Sequence, residues 1–206
     1  MLYTILIMNY EEVAKYLKKQ DPILGRIIDQ TSPVKLRQSG NYFSDLVESI
    51  ISQQLSLKAA DTIFRRFVAL FPDNEVAPEN VLALDIADIR NAGVSYQKIL
   101  YIQDLAKKTL ESDIIFEQFE TMTDEEIIEQ LTKIKGIGRW TAEMFLMFSM
   151  GRPDVFSYGD LGLRRALQNL YGLDHEPTYK EAKKIAERWK PFRTIACCYL
   201  WRSREL

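Results

Sequence analysis

The sequence predicts an all-α protein. Apolar residues recur at intervals of three and four in almost every segment, caps and capping boxes punctuate those runs, and no stretch alternates convincingly with period two. Asn9 is placed to cap a first helix through Glu11, Val13, Tyr16 and Leu17. Phe43, Leu46, Val47, Ile50 and Ile51 line one face of a second. Ser56 opens a third, with Ala60, Ile63, Phe64, Phe67, Val68 and Phe71 as its stripe and Pro72 as its stop. A short helix from Asp85 ends at Gly93, where a left-handed cap suits glycine, and another runs from Ser95 through Ile99, Ile102, Leu105 and Ala106. Thr123 with Glu126, and Thr178 with Glu181, read as capping boxes that start two further helices. Past Pro191 a last helix carries Ile195, Leu200 and Trp201.

With 206 residues the chain is long enough for one compact domain or two small lobes, and 47% hydrophobic with 27% charged residues is the composition of a globular core with a solvated surface. A net charge of −2 excludes coating of nucleic acid by bulk positive charge, but leaves room for a local patch. Cys197 and Cys198 are adjacent, so neither a disulfide framework nor the four spaced thiolates of an iron–sulfur cluster is available. His175 is the sole histidine, which rules out a multi-histidine metal site. Reduced cysteines suit the cytoplasm. Met1–Met8 is apolar but too short for a signal peptide or a membrane span, so no membrane role is expected. It reads either as an N-terminal extension ahead of a natural start at Met8, or as a short segment packed on the core, with the main domain over 9–206.

Charge is unevenly spread. Glu111 to Glu129 holds eight acidic residues and no Lys or Arg, whereas Lys133, Lys135 and Arg139 follow with no acid among their sequence neighbours. The sign changes at a glycine turn, Ile134-Lys135-Gly136-Ile137-Gly138-Arg139-Trp140-Thr141-Ala142. A capped helix ends there and an apolar one begins. Gly136 and Gly138 allow positive φ and leave the backbone uncovered, so the free N–H groups of the second helix point outward at the positive end of its dipole. That geometry binds a phosphate with little side-chain charge, and Ile137 plugs the turn into the core.

These residues resemble the hairpin of the helix-hairpin-helix (HhH-GPD) DNA glycosylase superfamily, in particular AlkA-like DNA-3-methyladenine glycosylases. Asp154-Val155-Phe156-Ser157-Tyr158-Gly159-Asp160 resembles the loop ending in the superfamily's catalytic aspartate, and Glu187–Arg193 with Trp201 resembles its C-terminal signature. Ile51-Ser52-Gln53-Gln54-Leu55-Ser56 resembles the turn that inserts into DNA, and Gly93–Lys98 a second DNA-facing loop. The likeness spans about 41–202 in family order. It implies two helical lobes, one mainly from 42–130 and one from the N-terminal helix with the C-terminal third, with a DNA-binding cleft between them and the hairpin at its edge. The chain is too short for the extra β-domain of larger bacterial members.

The function the resemblance implies is flipping and hydrolytic excision of alkylated, 3-methyladenine-type purines from damaged double-stranded DNA. Bifunctional relatives carry a lysine where this chain has Trp140, which cannot form a Schiff base, so no lyase activity is expected. An alkylated purine already carries positive charge and leaves as a neutral base; what needs stabilising is the cationic sugar, and one carboxylate near C1′ does that. Asp160 is the candidate, with helix N-cap as its other reading and Asp154 as the fallback. Trp140, Trp201, Met144 and Tyr158 are the candidate base-pocket residues; Met144 stands where relatives can place a tyrosine. Phe145, Phe148 and Trp189 are assigned to the core. Gln53, Gln54 and Leu55, with Gln54 favoured, would fill the gap left by the flipped base. Ser95, Lys98, Lys133, Lys135, Arg139, Gly136 and Gly138 are the other DNA-binding candidates. The resemblance also implies a structural monovalent cation on the carbonyls of Thr132, Ile134 and Ile137, no required cofactor, a monomer, and a cytoplasmic or nuclear location. The competing readings are a glycosylase for another lesion, a hairpin module that only holds DNA, and a helical protein–protein adaptor.

Overall fold

A computed structural model describes residues 8–204, and among them every regular element is helical. The expected extension at 1–8 lies outside the described residues but for Met8. Twelve α-helices follow one another among the described residues: α1 Tyr10–Gln20, α2 Pro22–Gln30, α3 Tyr42–Ser52, α4 Leu57–Val68, α5 Pro78–Ala83, α6 Ile86–Asn91, α7 Tyr96–Leu110, α8 Asp124–Leu131, α9 Arg139–Phe148, α10 Leu161–Tyr171, α11 Tyr179–Ala186 and α12 Arg193–Arg202. Most start on a side chain chosen for it. Asn9, Asn41, Ser56, Asp85, Ser95 and Asp160 each accept a backbone N–H of the helix they precede, and Thr123–Glu126 and Thr178–Glu181 close as capping boxes.

Two helices escape the apolar periodicity. α2 begins with Asp21 as cap and Pro22 at its first position, and α5 begins with Pro78. Both are short, which hides their pattern. α4 ends at Val68, ahead of Phe71, whose ring is buried beyond the helix and packs at 5.0 Å on Phe67.

The chain divides into two compact units. A middle unit, 39–145, packs α3 on α4 and α7, and α7 on α5 and α6. A terminal unit, 1–38 with 146–206, packs α2 against α1, α10 and α12. The hairpin and most of α9 therefore belong with the middle segment, beyond the boundary near 130 expected from sequence. The reason is burial: Ile134 and Ile137 are interior, and Phe145 sets its ring edge-on to Tyr42 and Phe119 of the same unit.

The terminal unit carries a buried charge. Asp21 is fully inaccessible; its Oδ1 caps α2, while its Oδ2 accepts the Tyr171 hydroxyl at 2.5 Å and the Trp189 indole N–H at 3.0 Å. An interior carboxylate is tolerated only when its lone pairs are filled in this way. Tyr171 closes α10, so Asp21 pins the far end of the helix that Asp160 begins. Burial and that carboxylate both push the Tyr171 phenol well above its ordinary range.

Candidate functional site

In the middle unit the hairpin joins α8 to α9. Gly136 takes φ +81°, and a Cβ there would come within 2.0 Å of the Tyr101 ring, so conformation and space both demand glycine. Gly138 differs from expectation: it has no positive φ, and a Cβ there would meet nothing within 4 Å. Its carbonyl accepts the Ala142 N–H at 3.1 Å, which makes it the residue that opens α9, and it brings no side chain of its own to that first turn. Ile134 and Ile137 are buried, and the Ile137 N–H closes on the Ile134 carbonyl at 3.1 Å.

The basic stretch is less free than its sequence neighbours suggest. Arg139 grips Glu125 through both terminal nitrogens, at 3.0 and 2.5 Å, and its Nε donates to Glu143 at 2.9 Å. These carboxylates, Glu125 first, hold the guanidinium still more firmly protonated than usual. The Lys135 N–H donates to Asp104 at 2.9 Å and its ammonium lies 3.9 Å from the same carboxylate. Burial pushes the Asp104 carboxyl up, but the Lys135 amide and the Lys108 ammonium outweigh it and leave it below the usual range. Lys133 is exposed and has no acidic partner among the described residues. Trp140 is 46% exposed on the first turn of α9, with Met144 half-buried one turn on.

The turn after α3 is held from two sides. Gln53 Nε2 donates to the Gly136 carbonyl at 2.8 Å, which ties the turn to the hairpin. Lys98 donates to the carbonyls of Ile51 and Gln53, both at 2.8 Å. The ammonium thus faces the end of α3, where the helix dipole favours a cation, while burial lowers its pKa. Between these supports Gln54 adopts φ +59°, uncommon for a residue with a side chain, and is exposed with Leu55. Ser95 caps α7 through the Lys98 N–H at 3.4 Å.

In the terminal unit Asp160 opens α10. Its Oδ1 accepts the Leu163 N–H at 2.7 Å and the Trp201 indole N–H at 3.0 Å. Gly162 makes the approach possible: a Cβ there would lie 2.9 Å from that oxygen and 3.4 Å from the Trp201 ring. Phe148 is a correction. Expected in the core, it is 49% exposed and sits 5.8 Å from Trp201, making an aromatic pair beside the carboxylate. Phe145 and Trp189 are buried as expected. Tyr158 turns elsewhere, with its hydroxyl on the Pro177 carbonyl and its ring edge-on to Tyr179 at 5.1 Å.

Asp154 is occupied. Arg193 donates to both its carboxylate oxygens, at 2.7 and 3.0 Å, and to its carbonyl at 2.9 Å. Thr194 adds bonds to the backbone of Arg152 and Val155. This clasp fixes the loop leading to Asp160 against the start of α12, the helix that carries Trp201.

A family model described as HhH-GPD superfamily base excision DNA repair protein matches residues 47–191. DNA-3-methyladenine glycosylase 1 of Schizosaccharomyces pombe is 36% identical over 216 residues, covering 98% of this chain and 94% of its own. Among solved structures, a DNA-3-methyladenine glycosidase from Bacillus halodurans is 40% identical with a TM-score of 0.83, covering 93% of this chain and 88% of that one. A 3-methyladenine DNA glycosylase from S. pombe in complex with abasic DNA is 34% identical with a TM-score of 0.84, covering 95% and 97%.

Proposed function

The chain belongs to the HhH-GPD superfamily of base excision DNA repair proteins, and on that premise we propose that it flips alkylated purines of the 3-methyladenine type out of duplex DNA and hydrolyses their glycosidic bond. The observation that carries the reading is the Asp160 corner. A carboxylate is fixed by the amide end of α10 and by the indole of a half-buried tryptophan, which is itself paired with an exposed phenylalanine. As the bond breaks, the sugar becomes cationic, and a preorganised negative charge stabilises it without reorganising at the moment of reaction. The same carboxylate can orient or deprotonate the attacking water. Trp201 has two tasks: its N–H aims Asp160, and its face, with Phe148, receives an electron-poor base.

Trp140 and Met144 are assigned further contacts with the extruded base, on the strength of the family resemblance. Tyr158, already engaged with Tyr179 and Pro177, supports the loop. The hairpin anchors a phosphate through the open amides after Gly138, assisted by Lys133. The carbonyls of Thr132, Ile134 and Ile137 are neutral hard donors, suited to a monovalent cation that would draw the phosphate closer without entering the chemistry. Gln54 or Leu55 fills the stack. Trp140 supplies no amine, so the enzyme acts as a hydrolase without strand cleavage, as a monomer, wherever the DNA is kept. Among the described residues no helix is long and apolar enough to cross a membrane.

The test is release of free 3-methyladenine from alkylated duplex DNA by the purified protein and by Asp160→Asn, with borohydride trapping alongside. The reading requires release by the wild type, near-complete loss in the variant, and no trapped adduct. Wild-type release by Asp160→Asn would reduce Asp160 to a helix cap.

A further inference from the structure

Within the middle unit, one side of α7 touches both loops assigned to DNA. Lys98 donates to the carbonyls of Ile51, in the last turn of α3, and of Gln53, where the following turn begins. Tyr101, one turn further, lays its ring where a Gly136 side chain would stand. Asp104, a further turn on, accepts the Lys135 N–H at 2.9 Å and is itself held by Lys108 at 3.0 Å. The three positions are spaced by three residues, so they climb about 9 Å of helix axis in order. Gln53 closes the loop of contacts by bonding directly to the Gly136 carbonyl.

None of these groups needs to meet DNA to matter. Lys98 turns two of its three donors to carbonyls, and Asp104 is an anion that would repel a phosphate. Their shared property is that each holds main chain at a loop whose exposed residues face outward. We propose that this side of α7 is a positioning rail: Lys98, Tyr101 and Asp104 keep the wedge turn and the hairpin at one spacing, so that Gln54 reaches the base stack in register with the anchored phosphate. This rests on the glycosylase reading given above. The rail explains how Gln54 keeps a left-handed backbone in an exposed turn, since the carbonyl just before it is clamped by Lys98 and the end of α3 is clamped with it. It also explains why a loop of alternating glycines can be rigid: its flexible residue is backed by a ring, and the amide before it is tied to a carboxylate.

The experiment uses the full chain and a duplex with 2-aminopurine beside a stable abasic-site analogue, whose fluorescence rises when the turn unstacks it. Methyladenine release and affinity for undamaged duplex are measured in parallel. Lys98→Met and Asp104→Ala should each lower the fluorescence rise at saturating protein and slow base release about tenfold, the scale on which misplacement by a fraction of an ångström acts. Affinity for undamaged duplex should move less than about threefold, because Lys133 and the rest of the hairpin remain. Asp104→Asn keeps an acceptor for the Lys135 N–H and should recover most of both signals; Lys98→Arg should do the same for the turn. A wild-type fluorescence rise in Lys98→Met and Asp104→Ala overturns the rail, as does an equal loss of undamaged-duplex affinity or no recovery in Asp104→Asn. If the alanine variant does not fold, the asparagine–wild-type comparison and Lys98→Met decide. Absence of methyladenine release by the wild type would sink the glycosylase reading, while the fluorescence arm still judges the rail.

Discussion

The hairpin and the Asp160 corner both present the amide end of a helix, and they use it in opposite ways. At α9 the opening residue is Gly138, which brings no side chain, so under the proposed function the negative charge at that end would come from a phosphate outside the protein. At α10 the opening residue is Asp160, so the anion is supplied by the protein and sits on the amides permanently. The physics is shared: a helix N-terminus favours negative charge. Under the proposed function, the choice of opening residue would decide whether that preference recruits a ligand or fixes the carboxylate assigned to catalysis. The surroundings follow suit. Around the hairpin, Glu125 and Glu143 hold Arg139 and Asp104 holds the Lys135 backbone; around Asp160, an indole and a glycine tune the position of one oxygen.

The comparison can be broken at several points. Asp160→Asn should keep the cap and the Trp201 contact yet lose roughly a hundred- to thousandfold in excision rate, the usual cost of deleting one preorganised electrostatic group; single-turnover release of methyladenine measures it. Gly162→Ala should be close behind, at about ten- to hundredfold, because the new Cβ presses on Asp160 Oδ1 as well as on the movable end of Arg204. Undamaged-duplex affinity should be untouched and stability should change by less than ~1 kcal/mol, since alanine is the better helix residue.

Gly136→Ala should show the converse. Positive φ and the Tyr101 contact make it destabilising by more than ~1 kcal/mol, seen in denaturant unfolding, with weakened binding to any duplex, damaged or not. The smallest effects separate the hairpin cations. Lys133→Ala should reduce the salt dependence of duplex binding by about one unit. Arg139→Ala should change that slope less, because its guanidinium is already spent on Glu125 and Glu143. Equal slopes for the two variants would show that the acids release Arg139 when DNA binds.

These outcomes depend on different layers of information. By itself the sequence determined the local features: the all-helical class, most helix starts, both capping boxes, the plug Ile137, and Asp160 as the residue opening α10. Each is written within a few residues, as a cap, a turn glycine or an apolar stripe of period 3.6, so neighbours along the chain suffice to read it. The tertiary structure alone decided the partners. Arg139 meets Glu125 across 14 positions, Lys135 meets Asp104 across 31, Trp201 reaches Asp160 across 41 and Gln53 reaches Gly136 across 83. It also drew Phe148 out of the core toward Trp201 and turned Tyr158 toward Tyr179. The physical reason is that a helical pattern fixes which face a side chain occupies, whereas what that face meets depends on how distant helices pack, and that packing sets which charges remain free for DNA.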